Sequence, residues 1–224
     1  MSNSLRTRAM VLRRTNYGES DRILTLLTPE GQKSVLAKGV RKEKSRLAGG
    51  IELFSISDVV IQQGQRRLGI LTSAKMLKFF PGILTDLGRL ELASRILKRT
   101  NQLSEQIDSP ELFELVEQAF TGIESGINLE VVETWFLINL ARVGGETMNV
   151  FFDINGDKLQ PDQNYHWNEL EKALSPQSEG EIGAEEIKLL RLLSASSLSL
   201  MTKVNKINEL ITPLKIIAKS LINK

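Results

Sequence analysis

Five positively charged side chains stand within nine consecutive positions of this 224-residue chain, namely Lys38, Arg41, Lys42, Lys44 and Arg46. The stretch between Gly39 and Gly50 has no apolar period, which is typical of a mobile, exposed loop. Lysine and arginine side chains replace the counterions that condense on the phosphates of a nucleic acid. The spacing therefore predicts electrostatic binding of a polyanion, with little preference for sequence.

The charge of the chain is divided unevenly, which supports this prediction. Residues 1–80 hold fifteen lysine and arginine residues against six acidic ones, a net charge of +9, whereas residues 81–224 carry a net charge of −7. Such asymmetry favours a polyanionic partner for the basic part, although a solvated basic surface without a partner is the alternative. Five further cations of the basic part are candidates for the same surface: Arg13, Arg14, Arg66, Arg67 and Lys75.

Residue types that carry catalysis are scarce. The chain has one histidine, His166, and no cysteine, so that disulfides, a Cys/His pair and a histidine-based metal cluster cannot be built. His166 stands between Tyr165 and Trp167, where a packing or hydrogen-bonding role is expected. We expect a protein that is not an enzyme and needs no cofactor or metal. Tyr17 is the plausible side chain of the basic part on which a base could stack.

No segment has the composition of a signal peptide or of a membrane span. We therefore expect a cytoplasmic, nucleoid-associated protein that does not contact a membrane.

Five short β-capable runs precede residue 80. They are centred on Ala9 and Val11, and on residues 22–28, 33–38, 57–63 and 67 or 68 to about 74. Ala9, Val11 and the flanking arginines alternate with the period of a half-buried strand, and the runs that follow are short, apolar and β-capable. Five such strands within about 80 residues fit a small closed or sandwiched β architecture.

The apolar period becomes helical after Pro81-Gly82. Ser109-Pro110 predicts the start of a second helix, and Asn128 predicts the cap of a third over residues 129–143. This third helix is apolar on more than one side, so it is expected at the centre of the helical domain. The last helices are predicted over residues 184–201 and 205–222, the latter kinked or split at Pro213.

Residues 149–180 interrupt the helical pattern. Asn155-Gly156 lies between two apolar runs, and this dipeptide is a strong signal for a β-hairpin. The predicted architecture is α+β, with a β domain over residues 1–80 and an all-helical domain over residues 81–224 that contains a small hairpin insertion.

Four stretches of the basic part, in this order and spacing, resemble the bacterial RecO family. They are Tyr17-Gly-Glu-Ser-Asp-Arg-Ile-Leu-Thr-Leu-Leu-Thr-Pro-Glu-Gly31, Ala37-Lys-Gly-Val-Arg-Lys42, Lys44-Ser-Arg-Leu-Ala-Gly-Gly50 and Leu71-Thr-Ser-Ala74. Together they cover nearly all of residues 5–80. The likeness of the C-terminal part is looser and depends on the helical pattern and on Pro213-Leu-Lys215.

The resemblance implies a five-stranded OB-fold barrel followed by a helical domain. It also implies a DNA repair and recombination mediator that binds single- and double-stranded DNA, anneals complementary strands, and helps to load recombinase on DNA coated by single-strand binding protein. The partners implied are RecR, single-strand binding protein and, in many cases, RecF. Many relatives carry a four-cysteine zinc module within the helical domain, but residues 149–180 contain no cysteine, so we expect no zinc here.

The resemblance places the site for the acidic, apolar-ended tail of single-strand binding protein in the helical domain. The densest basic group there comprises four lysines near the C-terminus, Lys203, Lys206, Lys215 and Lys219. It lies beside the apolar Leu210 and Leu214 in the sequence. The alternative is that these lysines only favour the C-terminal ends of helices. A second possible position for the tail is around Arg95, Lys98 and Arg99.

Two other functions remain open from the sequence. One is an RNA-binding OB-fold protein of RNA metabolism, which a preference for RNA over DNA would support. The other is a nuclease, which would need clustered carboxylates to hold magnesium, whereas the six acids of residues 1–80 are scattered.

Overall fold

The computed structural model describes residues 4–63 and 68–222, which form two compact units that divide after Phe120. The sequence places a domain boundary at residue 80, which is where the strands of the first unit have ended. The first unit extends further, to Phe120, and so contains helices as well as strands.

The first unit is built on a closed five-stranded barrel with the order β1-β2-β3-β5-β4. Its strands are β1 (Ser4–Tyr17), β2 (Asp21–Thr28), β3 (Gly31–Ala37), β4 (Ser55–Gln62) and β5 (Leu68–Phe79). The β3–β5 pair is parallel, and the other four pairs are antiparallel. This arrangement confirms the predicted OB-fold barrel.

Alternating apolar residues of the strands fill the interior of the barrel. Leu24, Val35 and Leu26 are at most 1% exposed, and Val59 and Ile61 face the same core. Burial of these side chains is the main stabilising contribution, about 1.5–3 kcal/mol for each before the entropy of ordering is subtracted.

Two helices complete the first unit. A short 3-10 turn (Pro81–Leu84) leads into α1 (Leu87–Ser104), whose first turn is capped by the Asp86 carboxylate accepting a hydrogen bond from the Arg89 amide. Helix α2 (Pro110–Glu124) follows, and it crosses the boundary between the units. Phe120 of α2 makes edge-to-face contacts with Phe54 and Phe80, at centroid distances of 5.8 and 5.5 Å.

The second unit is organised around α3 (Leu129–Val143), which packs against α4 (Ala184–Ala195) and α5 (Ile207–Ser220). The Asn128 side chain caps α3 by accepting from the Glu130 amide, as predicted. Ten of the fifteen residues of α3 are buried, so the predicted central position of this helix is confirmed.

The predicted helix over residues 184–201 is too long. Helix α4 ends at Ala195 because Ser196 adopts an extended conformation, and a separate 3-10 helix covers Leu198–Lys203. Helix α5 continues through Pro213 without being split.

The insertion contains isolated β-bridges and a two-stranded antiparallel sheet. At the predicted hairpin, Phe152 and Lys158 form an antiparallel bridge, and Gly156 adopts a left-handed φ of +86° in the turn between them. Strands β6 (Tyr165–Asn168) and β7 (Ala173–Pro176), which were not predicted from the sequence, form an antiparallel pair.

Within the described ranges, no three histidine, cysteine, aspartate or glutamate side chains are grouped so as to hold a metal ion. No helix in those ranges is long and apolar enough to cross a membrane.

Candidate nucleic-acid interface

Residues 38–46, which we call the cationic segment, connect β3 towards β4 on the first unit. All five of its cations are exposed, and none forms an ion pair with another residue of the described part of the chain. Val40 points the other way, is 3% exposed and joins the core of the barrel. The segment thus presents its charges to solvent from an anchored base.

Hydrogen bonds tie the cationic segment to the turn between β1 and β2. The Arg41 amide donates to the Ser20 carbonyl at 2.9 Å, and the Gly39 amide donates to the Asp21 carboxylate at 2.7 Å. The Arg41 guanidinium also donates to the Gly18 carbonyl at 3.3 Å. The sequence predicts a mobile loop, whereas the structure shows a series of fixed turns with exposed charges, and its mobility stays a prediction.

At the end of the connection between β3 and β4, close packing requires a glycine at position 50. Gly50 lies so near the Ala74 backbone of β5 that a Cβ atom would overlap with it. Ile51, 1% exposed, follows in the barrel core. The connection is therefore fixed to the barrel at both ends.

Arg13 and Arg14 of β1 differ in their surroundings. Arg13 is exposed and makes no ion pair within the described residues. Arg14 is half-buried and donates to the Glu52 carboxylate at 3.1 Å. Of the two predicted cations, Arg13 is the one whose charge is available to a phosphate.

Lys75 lies on β5 directly across from Asp58 of β4. The Arg6 guanidinium donates to both oxygens of the same carboxylate, at 2.6, 3.0 and 3.2 Å. These hydrogen bonds, aided by the charges of Arg6 and Lys75, hold the pKa of Asp58 below its usual value against the opposing effect of burial. Asp58 therefore offsets part of the charge that Lys75 offers. The predicted Arg66 and Arg67 lie outside the described residues.

Tyr17, the predicted stacking residue, is 56% exposed at the end of β1. It adjoins Gly18, whose carbonyl accepts from Arg41 of the cationic segment. Phe54, by contrast, is 6% exposed and belongs to the core. Tyr17 is accordingly positioned to contact a strand that lies on the cationic segment.

The predicted tail-binding group lies in the second unit. Lys203, Lys206 and Lys219 are exposed, but Lys215 donates to the Glu130 carboxylate at 2.6 Å, and Leu214 is 0% exposed. Lys206 precedes α5 and Lys219 is in its last turn, so the helical rise separates their backbones by roughly 20 Å. The group can contact an extended peptide, but it does not surround one compact pocket.

His166 lies on the exposed face of β6, while its neighbours Tyr165 and Trp167 are buried. Its Nδ1 is 3.1 Å from the Glu181 carboxylate. Burial raises the pKa of Glu181, but the hydrogen bond and charge of His166 and a backbone hydrogen bond bring it below its usual value. His166 therefore makes a hydrogen bond at the surface, which is one of the two roles, packing or hydrogen bonding, that the sequence predicts for it.

Comparison with known proteins adds to this geometry. The model of the family described as "Recombination protein O N terminal" matches residues 1–80, and that of "Recombination protein O C terminal" matches residues 74–214. The DNA repair protein RecO of Dehalococcoides mccartyi is 28% identical over 222 residues, covering 96% of this chain and 87% of the relative.

The RecO protein of a Roseiflexus species is 30% identical over 174 residues, which are 70% of this chain and 61% of the relative. That of Synechococcus elongatus is 37% identical over 154 residues, which are 66% of this chain and 58% of the relative. Since one family model alone matches more than half of the chain, this protein belongs to the RecO family of DNA repair and recombination proteins.

Proposed function

We propose that this protein is a recombination mediator that binds single- and double-stranded DNA, anneals complementary strands and assists the loading of recombinase on DNA coated by single-strand binding protein. The observation that carries the proposal is the cationic segment, whose five exposed cations lack ion pairs within the described residues. The protein's membership of a DNA repair and recombination family supports DNA as the polyanion that this segment binds.

Annealing requires two polyanions to approach each other. Cations on one surface replace the condensed counterions of both strands and lower the repulsion between their phosphates. The hydrogen-bonded turns of the cationic segment favour this role, because an anchored backbone loses less conformational entropy on binding than a mobile loop. The segment reads no bases in this mechanism, so either complementary strand is accepted.

The proposed activity is binding without catalysis, and it needs neither a cofactor nor zinc. The chain has no cysteine to supply thiolate ligands, and its one histidine is hydrogen-bonded to a carboxylate. In this proposal the protein brings the strands together, and base pairing between the strands drives annealing.

The proposed protein partners are RecR, single-strand binding protein and, in some settings, RecF, acting in the cytoplasm at the nucleoid. The second unit would receive the acidic tail of single-strand binding protein through Lys203, Lys206 and Lys219, with Leu210 as an apolar contact. The support is charge complementarity, since these three lysines are exposed and make no ion pair within the described residues.

The function is tested by the annealing of two complementary oligonucleotides, each first coated with single-strand binding protein. We expect the full chain to accelerate annealing of both naked and coated strands. Acceleration of neither would refute mediator activity. Competition with RNA of the same sequence tests the alternative function, because tighter binding of RNA would favour a role in RNA metabolism.

A further inference from the structure

A cleft of about 390 Å³ opens on the first unit between β1, the residues that precede β4, and α1. This volume lies within the range of small-ligand sites, roughly 300–1,000 Å³. The cleft is lined by four apolar residues, Leu12, Leu53, Phe54 and Leu97, and by five polar ones, Arg13, Ser94, Lys98, Asn101 and Gln102.

A β-bulge in β1 builds one wall of the cleft. The register of β1 against β2 shifts between Val11 and Arg13, so Leu12 is the additional residue. Because successive side chains of a regular strand point to opposite faces, Leu12 and Arg13 reach the same cleft only through this irregularity. The bulge thus places an apolar contact next to a free cation.

The floor of the cleft is held rigidly. Phe54 has a φ of +57°, a left-handed conformation that is rare for a large side chain. The ring packs edge-to-face on Phe120, so the surrounding core holds the residue in this conformation. Such strain is common where a structure preorganises a binding surface.

The rim of the cleft is cationic and carries no carboxylate. Arg13 and Lys98 are both exposed, and neither forms an ion pair with the described residues. The Asn101 amide is fixed, since it accepts from Gln32 at 3.3 Å and donates to Glu105 at 2.9 Å. The Gln102 amide is exposed, and it makes no hydrogen bond within the described residues.

We propose that this cleft binds one unpaired nucleotide of a DNA strand that also lies on the cationic segment. Arg13 and Lys98 hold its phosphates, the base lies against Leu12, Leu53 and Leu97, and the Gln102 amide hydrogen-bonds the base or sugar. The inference rests on the proposed function and adds a subsite specific for single strands.

The short path along β1 between the cleft and the cationic segment favours a nucleic acid over an acidic peptide as the ligand. Tyr17 lies four positions after Arg13 in β1, which corresponds to about 13 Å of extended strand. Tyr17 in turn adjoins the turn that holds the cationic segment. One continuous polyanion can therefore contact the cationic segment, Tyr17 and the cleft.

The absence of cysteine permits a direct test, because Ser94→Cys provides a single thiol at the wall of the cleft. We expect an oligothymidine strand to slow maleimide labelling of this thiol in the full chain, and a short acidic peptide with an apolar end to leave the rate unchanged. The bulky adduct should weaken binding of single strands about tenfold, as expected for one lost base contact, while duplex binding is retained.

Lys98→Ala supplies a second variant that does not depend on labelling. It should weaken single-strand binding about threefold to tenfold and lower the salt slope by about one contact. Lys188→Ala is the matched control, since Lys188 is also an exposed lysine on a helix and lies in the second unit. The Lys188→Ala variant should bind the single strand with the same affinity as the unmodified chain.

The outcomes separate the subsite from the proposed function. If the unmodified chain binds DNA but labelling is unaffected by the strand and Lys98→Ala behaves like Lys188→Ala, the subsite is refuted and the proposed function stands. Protection by the acidic peptide alone would assign the cleft to a peptide and refute the nucleotide site. If the unmodified chain binds no DNA at all, both proposals are wrong.

Discussion

In the amino-acid sequence, the cationic segment of the first unit and the lysine group of the second unit are alike in being rich in cations. The lysine group comprises Lys203, Lys206, Lys215 and Lys219. Each concentrates four or five cations in a short stretch. In the structure, the segment exposes all of its charges on fixed turns, whereas Lys215 of the lysine group is paired with Glu130 and α5 spreads Lys206 and Lys219 over roughly 20 Å. The number of cations in a stretch of sequence therefore does not show how many of them are exposed and unpaired for a ligand to contact.

The reason is the local backbone. In consecutive turns, charged side chains point outward while one apolar residue, Val40, anchors the segment in the barrel. On a helix, neighbouring charges lie about 100° apart, and those that face another helix find partners there. The comparison supports our proposals that DNA binds the cationic segment and that the lysine group makes a smaller contact with a peptide.

The largest expected effect comes from replacing Arg41, Lys42, Lys44 and Arg46 by alanine. Four lost phosphate contacts should weaken single-strand binding about 500-fold at 0.1 M salt, measured by fluorescence anisotropy. Each surface replacement should change the free energy of unfolding by less than about 0.5 kcal/mol. Alanine at all four positions of the lysine group removes the same net charge and should leave this affinity nearly unchanged. Equal losses in both variants would show that only net charge matters.

The second prediction concerns salt. If all five cations of the segment contact phosphates, the affinity for a single strand should fall about 100-fold between 50 and 200 mM salt. Strands of different sequence should give the same slope. A dissociation constant that does not change with salt would contradict electrostatic binding.

The third prediction divides the lysine group itself. Lys215→Glu faces Glu130 with a like charge, so we expect it to lower the free energy of unfolding by about 0.2–1 kcal/mol, with recovery when Glu130→Lys is added. Lys219→Glu should instead weaken binding of the tail peptide, and because it removes the cation in the last turn of α5 it should also lower stability by about 0.3–1 kcal/mol, which Glu130→Lys does not restore. Peptide titration and denaturant unfolding measure the two effects. The assignment of the tail to α5 is wrong if Lys215→Glu and Lys219→Glu together leave peptide affinity unchanged in a folded protein.

The smallest expected effect is the dependence of barrel stability on acid. Because the pKa of Asp58 is lowered in the folded state, the Arg6–Asp58 interaction stabilises the protein fully above the ordinary aspartate pKa of about 3.9. That contribution disappears as the pH falls through the lowered pKa. Asp58→Asn should therefore be less stable than the parent at neutral pH, and the difference should narrow in strong acid. A constant difference from pH 7 to pH 2 in thermal melts would be inconsistent with this linkage.

The regular parts of the fold were predictable because their signals are local. Alternation around Ala9 and Val11 and short apolar runs bounded by turn residues predicted the five barrel strands, and Asn128 predicted the start of α3. Strand β5 runs beyond the predicted end at Ala74, since its last residues, up to Phe79, are paired with β4 but mostly exposed. Strands β6 and β7, each only four residues long, carry too few positions to show a period.

The candidate site was predictable in its composition but not in its selectivity. The five cations of the segment could be found from spacing alone. That Arg14 is paired with Glu52, and Lys215 with Glu130, depends on contacts 38 and 85 residues apart. The bulge that turns Leu12 and Arg13 towards one cleft also has no local signal, because it is a property of the register between two strands.

The most direct test of the account is the annealing rate of complementary oligonucleotides with the two four-alanine variants compared side by side. The account predicts that the variant of the cationic segment loses most of the acceleration given by the unmodified chain, while the variant of the lysine group keeps it on naked strands. Normal annealing by the folded segment variant would contradict the central claim that residues 38–46 are the surface on which the strands meet.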